Sequence, residues 1–187
     1  MTDILSLDEG YSTTRLLTQE KPEIINTPED KFETVLFLPE GENRKGEGGL
    51  RTKGYFKKSY DDKPLISIIT VVFNGEKYLE ETIQSVINQT YSNVEYIIID
   101  GGSSDGTLDI IKKYEERIDY WVSEKDRGIS DAFNKGVKVA KGDYINFQGD
   151  GDGFVSNDAL EKVFEGINSS EDIFVSARIS KIGRAHV

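Results

Sequence analysis

The sequence predicts an α/β fold, a mostly parallel sheet flanked by helices, that begins near Leu65. Short runs rich in Ile and Val alternate from there with segments whose apolar residues recur at helical spacing, the pattern of successive β-α-β units. The first two runs are almost continuously apolar, as expected of strands that are covered on both faces. A chain of 187 residues supplies one sizeable core, so we expect one compact domain rather than two.

The predicted strands and helices follow one another in order along this part of the chain. The strands are expected at residues 66–72, 94–99, 119–123, 144–147 and 172–176. The helices are expected at residues 76–88, after Asp105, at residues 130–140 and at residues 157–164. Asp105 and Ser130 precede their helices and are expected to cap them.

The ends of the chain differ from this alternating region. Residues 1–63 are expected to form a polar N-terminal extension of unknown role, with one apolar run at 34–38 that predicts a strand and a solvated loop at 41–54. Such an extension packs on the domain or binds a partner, and we favour a plain extension. Residues 182–187 resemble translated sequencing-adapter sequence and are expected to be a non-native tail. The domain at 64–181 is therefore expected to be incomplete at its C-terminus.

The composition excludes several classes of function. A formal net charge of -11 opposes nonspecific binding to nucleic acid or to an anionic membrane surface. The absence of cysteine excludes disulfides, thiolate zinc sites and thiol nucleophiles, and is compatible with the cytoplasm. The longest apolar stretch, residues 65–73, is about half of the roughly 20 residues that a membrane-spanning helix needs, so no membrane segment is predicted.

Polar residues with chemical potential follow three of the predicted strands. Phe73 and Asn74 end the first strand, Asp100 ends the second, and a turn with Asp150 and Asp152 ends the fourth. Ligands of open parallel sheets bind beyond the carboxyl ends of the strands. We therefore expect these residues to meet in one site.

The turn with Asp150 and Asp152 predicts a metal site. Glycines at 149, 151 and 153 allow a sharp turn and a close approach by phosphate. Two carboxylates suit Mg²⁺ or Mn²⁺ and leave coordination positions for diphosphate oxygens, and a bound cation can neutralise charge on a leaving diphosphate. The alternative is an ordinary surface turn, because Asp and Gly are common in turns.

Asp100 and Phe73 are candidates for contacts to a nucleoside. The Asp100 carboxylate can accept a hydrogen bond from a base N–H or a ribose hydroxyl, or it can cap the strand end. Phe73 can lie against a nucleobase or belong to the core, and Lys125 and Arg127 can offer charge to a diphosphate or belong to a solvated loop. The glycines match neither the dinucleotide-binding pattern nor the P-loop, which disfavours a dehydrogenase or an ATPase.

An ordered set of motifs between residues 65 and 176 resembles the family-2 glycosyltransferases. The motifs are 67–74 (SIITVVFN), 100–107 (DGGSSDGT), 126–134 (DRGISDAFN) and 142–147 (GDYINF), followed by Asp150 and Asp152. The resemblance implies the GT-A fold, a Rossmann-like sheet. It also implies a nucleotide-sugar donor, often UDP-linked, a divalent metal and inversion at the anomeric carbon. Surface-polysaccharide assembly at the inner face of a membrane, on a glycan or lipid-linked acceptor, is implied as well.

The resemblance also assigns roles to residues. Thr70, Phe73 and Asp100 correspond to base or ribose contacts, with Asn74 beside them in the donor site, and the Asp150 and Asp152 carboxylates correspond to ribose and metal contacts. Family members often carry Asn-x-Asp-Asp at the metal turn, so which carboxylate holds the metal stays open. The family supplies the base that deprotonates the acceptor from a later region, which we expect beyond the end of this chain.

Two other functions compete with this interpretation. A strand followed by Asp150-x-Asp152 also resembles the motif of haloacid-dehalogenase-like phosphohydrolases, in which Asp150 would be the nucleophile and Asp152 the acid/base. That motif normally follows the first strand of its domain, whereas here it follows the fourth. A noncatalytic binding module that uses residues 1–63 is the second alternative.

Overall fold

The computed structural model describes residues 4–28, 33–41, 43–164 and 180–181. Its strands are β1 (Gly46–Gly48), β2 (Ile66–Val72), β3 (Val94–Asp100), β4 (Tyr120–Ser123), β5 (Tyr144–Gly149), β6 (Asp152–Gly153) and β7 (Ser180–Lys181). Its α-helices are α1 (Leu79–Ile87), α2 (Thr107–Lys113), α3 (Ile129–Val139) and α4 (Ala159–Phe164). Short 3₁₀ turns occur at Ser12–Thr14, Leu50–Lys53 and Glu115–Arg117.

Within the described ranges, five strands form a mostly parallel sheet in the order β1-β4-β3-β2-β5. Parallel pairing joins β2 to β3, β2 to β5 and β3 to β4, whereas β1 runs antiparallel to β4. A separate two-stranded pair joins β6 to β7. The predicted α/β fold with a mostly parallel sheet is confirmed, and all four parallel strands end at the same edge.

Helices cover both faces of β2 and β3, as the continuous apolar runs of these strands predict. On one face, Ile68 and Ile98 pack with Ile83 of α1 and Ile111 of α2. On the other, residues such as Ile97 pack against α3. Alternate side chains of each strand thus enter different cores, because successive residues of a strand point to opposite faces. None of the described helices has the length and apolar composition needed to cross a bilayer.

The prediction of a strand at residues 34–38 is wrong. The strand of the N-terminal segment comes later in the sequence, at β1. Leu36 and Leu38 are buried without belonging to a strand, so their apolar character reflects packing against the domain. The strand is β1, within the stretch predicted to be a solvated loop, and it consists of Gly, Glu and Gly. A Cβ atom on Gly46 would lie 2.8 Å from the Trp121 ring, so the glycines of β1 make room for that side chain. The strand predicted at 172–176 and the tail at 182–187 lie outside the described residues.

A buried ion pair ties the N-terminal segment to the sheet. Arg51 donates to Glu95 of β3 at 2.5 Å, and the two side chains are only 3% and 2% exposed. Arg51 also donates to the carbonyls of Leu36 and Val139, while Glu95 accepts from the Ser67 hydroxyl. Each charge therefore has several hydrogen-bond partners, which a buried ion pair requires for its stability.

Replacing Arg51 with Met is expected to lower the free energy of unfolding by about 3 to 5 kcal/mol, because Glu95 would keep a buried charge without its partner. Urea denaturation measures this loss. Lys53→Met is the matched control, since Lys53 in the same 3₁₀ turn pairs with exposed Glu116 and exposed pairs contribute about 1 kcal/mol or less. Equal losses in the two variants would contradict the structural role given to Arg51.

Candidate functional site

A cleft of about 460 Å³ opens at the carboxyl edge of the parallel strands. Residues from the ends of β2, β3 and β5 and from the loop between β4 and α3 meet there. The lining residues are Val71, Val72, Phe73, Gly101, Lys125, Asp126, Gly128, Ile129, Ala132, Gly149 and Asp150. Of the residues that the sequence analysis named as candidates, Phe73, Lys125 and Asp150 line the cleft directly.

Asp100 lies beneath the cleft wall and is fully buried. Its carboxylate accepts hydrogen bonds from the backbone N–H and the hydroxyl of Ser103, and from the Ser123 hydroxyl at 2.5 Å. The backbone carbonyl of Asp100 also accepts from the Glu124 N–H at 3.0 Å. Asp100 therefore joins the ends of β3 and β4 and fixes the loop that begins with Gly101.

Asn74 connects the loop after β2 to the loop after β3. Its side-chain oxygen accepts from the Ser104 N–H at 2.9 Å, and its own N–H donates to the Ser103 hydroxyl at 2.7 Å. The residue has a left-handed backbone with φ of 52°, a conformation that Asn adopts more readily than most residues. Asn74 thus holds Phe73 and the Asp100 loop in one arrangement.

Phe73 is a cleft residue and not a core residue. Its side chain is 64% exposed, and Ile129, the first residue of α3, is 65% exposed. Exposed aromatic and aliphatic side chains in the cleft offer an apolar surface on which a planar ring can stack.

Thr70 lies in the interior of the sheet, outside the lining of the cleft. The residue is fully buried in β2, and its hydroxyl shares a 3.0 Å hydrogen bond with the hydroxyl of Tyr96. Burial raises the pKa of Tyr96, so this phenol keeps its proton. Thr70 and Tyr96 form a buried polar pair between β2 and β3.

The turn after β5 brings Asp150 to the cleft. The Asp150 N–H donates to the Val71 carbonyl at 3.2 Å, and Asp152 accepts from the Gly149 N–H at 2.9 Å. Gly151 has φ of 85° and donates to the Thr82 hydroxyl, so the turn is anchored on α1. Glycine is suited to this positive φ because it has no Cβ to clash with the backbone.

The chemistry of the two aspartates fits a divalent cation whose coordination is completed by a ligand. No group of three or more His, Cys, Asp or Glu side chains with metal-binding geometry occurs in the described part of the chain. Carboxylate oxygens are preferred by Mg²⁺ and Mn²⁺, and Mg²⁺ commonly uses one or two carboxylates together with phosphate oxygens and water. Asp150 and Asp152 are the residues that would hold such an ion.

The loop between β4 and α3 contributes more to the cleft than the sequence indicated. Lys125, which the sequence offered as a possible source of positive charge, lines the cleft together with Asp126 and Gly128. A Cβ atom on Gly101 would lie 2.6 Å from the Asp126 carboxylate, so the two loops touch. Motif 126–134 pointed to this loop, but the pairing of Ser123 with Asp100 had no signal in the sequence because it depends on strand register.

Asp100→Asn is expected to lower the free energy of unfolding by about 2 kcal/mol, since hydrogen bonds to a charged group are worth about 1.5 to 3 kcal/mol. The side-chain NH₂ group of Asn would also face the Ser103 and Ser123 groups that now donate hydrogen bonds to Asp100. Thermal unfolding measures the loss. Asp109→Asn, at an exposed position of α2, is the control, with an expected change within about 0.5 kcal/mol. An unchanged melting temperature in Asp100→Asn would contradict this role.

Comparison with known proteins agrees with the geometry. The family model described as Glycosyl transferase family 2 matches residues 67–185, more than half of the chain. An uncharacterized glycosyltransferase of Haemophilus influenzae is 44% identical over 102 residues, which cover 53% of this chain and 40% of that protein. The putative teichuronic acid biosynthesis glycosyltransferase TuaG of Bacillus subtilis is 42% identical over 106 residues, covering 55% and 42% respectively.

The chain spans about two-fifths of the length of these two relatives. Among solved structures, a mannosyltransferase of Pyrobaculum calidifontis in complex with GDP-Man and Mn²⁺ has a TM-score of 0.53 and 20% identity. The match covers 58% of this chain and 33% of that one, and it supports the GT-A fold alone. The matched motifs, the parallel sheet and the family model together identify this chain as a member of glycosyltransferase family 2.

Proposed function

We propose that the protein transfers a sugar, with inversion, from a nucleotide-diphosphate sugar to a glycan or lipid-linked acceptor, and that this chain supplies the donor-binding part. The observation that carries the proposal is the convergence of Phe73, Lys125 and Asp150 on one cleft at the carboxyl edge of a family-2 sheet. We favour UDP as the nucleotide, in line with the resemblance. No acceptor base is assigned among the described residues.

The lining of the cleft suggests how a donor is held. Phe73 and Ile129 offer the apolar surface for the base, and Lys125 offers positive charge to the diphosphate. A divalent cation, Mn²⁺ or Mg²⁺, would neutralise charge on the departing diphosphate when bound. Asp150 and Asp152 would hold that ion. Asp100, Asn74 and Thr70 do not line the cleft, and we assign them the role of supporting the residues that do.

The acceptor and the cellular setting are proposed from similarity. The Bacillus relative is named for teichuronic acid biosynthesis, and that name supports a role in surface-polysaccharide assembly. We propose that the protein works in the cytoplasm, at the inner face of the membrane.

UDP with Mn²⁺ is expected to stabilise the protein, because a ligand at 100 times its dissociation constant adds about 2.7 kcal/mol to the free energy of unfolding. Thermal unfolding with UDP, GDP, CDP and dTDP, each with and without Mn²⁺, measures the effect and identifies the base. The stabilisation is expected to disappear in Asp150→Ala/Asp152→Ala.

The matched control is Asp61→Ala/Asp62→Ala, which removes two adjacent exposed aspartates and so changes the net charge by the same amount. It is expected to keep the full shift. Absence of a shift with every nucleotide in the folded parent protein would contradict the proposal. Hydrolysis of a phosphate ester that is lost in Asp150→Asn would support the phosphohydrolase instead.

Gly75→Ala is expected to weaken Mn²⁺-dependent nucleotide binding. A Cβ atom there would lie 2.5 Å from Val72 and 2.9 Å from the Asp150 carboxylate, so that Asp150 would have to move. The clash is also expected to cost about 1 to 3 kcal/mol of stability. Isothermal titration calorimetry measures the binding, with Gly54→Ala as control, because Ala is strained at its φ of 83° while a Cβ atom there meets nothing within 4 Å and leaves Asp150 in place. Unchanged affinity in Gly75→Ala would show that Asp150 does not need its present position.

A further inference from the structure

Lys45 of the N-terminal segment contacts the loop that follows β3. Its ammonium group donates to the carbonyls of Gly102 and Ser103, at 2.9 and 2.8 Å. Its backbone N–H donates to the Ser123 carbonyl at 2.7 Å, directly before β1 pairs with β4. Lys45 thus holds the outer side of the same loop whose inner side is bonded to Asp100.

Arg44, the preceding residue, contacts the loop that follows β4. Its guanidinium group donates to Glu124 at 2.8 Å and also to Glu47 and to the carbonyls of Leu38 and Pro39. The Glu124 side chain is only 6% exposed. These partners together fix the orientation of the guanidinium group, and with it the contact to Glu124.

Glu124 receives a second cation from α3. Lys135 lies 2.8 Å from the Glu124 carboxylate and donates to the Lys125 carbonyl. Burial alone would raise the pKa of Glu124, but the hydrogen bonds and charges of Lys135 and Arg44 outweigh burial and hold the pKa below its ordinary value. The carboxylate therefore stays ionised between two cations.

The two loops held in this way form adjacent walls of the cleft. Gly101 lies directly before the carbonyls that Lys45 binds, and Lys125 and Asp126 directly follow Glu124. The loops also touch, since a Cβ atom on Gly102 would lie 3.3 Å from the Lys125 backbone nitrogen. Arg44 and Lys45 are not among the lining residues, so their effect on the cleft passes through these loops.

We propose that Arg44 and Lys45 are positioning residues of the donor cleft: as neighbours in the N-terminal segment, they fix the loops after β3 and β4 from outside. The inference rests on the proposed function for its effect on nucleotide affinity. Its structural part, the fixing of the two loops, can be tested without any ligand.

The experiment compares Arg44→Gln/Lys45→Gln with a control in the same segment, Arg15→Gln/Lys53→Gln. Arg15 donates to the carbonyls of Tyr11, Gln89 and Thr90, and Lys53 pairs with Glu116, in both cases without contacting the cleft loops. The two double variants remove the same charges and residue types. Urea denaturation, amide hydrogen exchange of the unliganded full chain and calorimetric titration with UDP and Mn²⁺ are measured for both.

The expected result is faster amide exchange at residues 101–103 and 124–126 in Arg44→Gln/Lys45→Gln than in the control, with exchange in β2 and β3 unchanged. The dissociation constant for UDP is expected to rise about tenfold relative to the control, as for other residues that support a binding site from behind. Lys45→Arg, which keeps the charge, is expected to retain most of the affinity.

Loop exchange equal to that of the control would overturn the inference, and so would faster exchange spread over β2 and β3, which indicates general destabilisation. A tenfold change in affinity that also appears in the control would overturn it as well. If the parent protein binds no nucleotide, the proposed function fails, while the exchange data still decide whether Arg44 and Lys45 fix the loops.

Discussion

The buried carboxylate of Asp100 is the contact on which the shape of the cleft depends. Hydrogen bonds from Ser103 and Ser123 satisfy this charge, and a buried carboxylate without such partners would be strongly destabilising. The loop that begins with Gly101 is therefore fixed to the ends of β3 and β4 at once. Asn74 bonds to the same loop, so the end of β2 is fixed to this loop as well. Phe73, which lies at that end, is thereby held in the lining of the cleft.

The N-terminal segment adds the strand β1 to the sheet and also places positive charges beside buried acidic side chains. In a chain with a net charge of -11, its cations lie where the domain buries acids. Burial raises the pKa of Asp119 to about 7, against the positive charge of Lys57, and burial lowers the pKa of Lys57 itself to about 8. Arg51 with Glu95 and Arg44 with Glu124 form ion pairs in this way, whereas Lys57 donates to the Arg15 carbonyl and interacts with Asp119 only through its charge.

The sequence was sufficient for β2 and β3, because their continuous apolar runs can be buried only between two layers of helices. It was insufficient where structure depends on distant contacts. Residues 34–38 are apolar because they pack against the domain, and Gly46–Gly48 forms a strand because it pairs with β4, where its glycines leave room for the Trp121 ring. The burial of Asp100 and of Thr70 depends on the register between strands, which cannot be deduced from the motifs at 67–74 and 100–107.

In the proposed function, the strand ends and the loop between β4 and α3 form one metal-dependent donor site. Paramagnetic broadening of amide resonances by Mn²⁺, with and without UDP, tests it most directly, because the broadening depends on distance from the ion. We expect broadening centred on residues 149–152, strengthened by UDP and extending to residues 101 and 125–128. Broadening centred elsewhere, or unaffected by UDP, would contradict it.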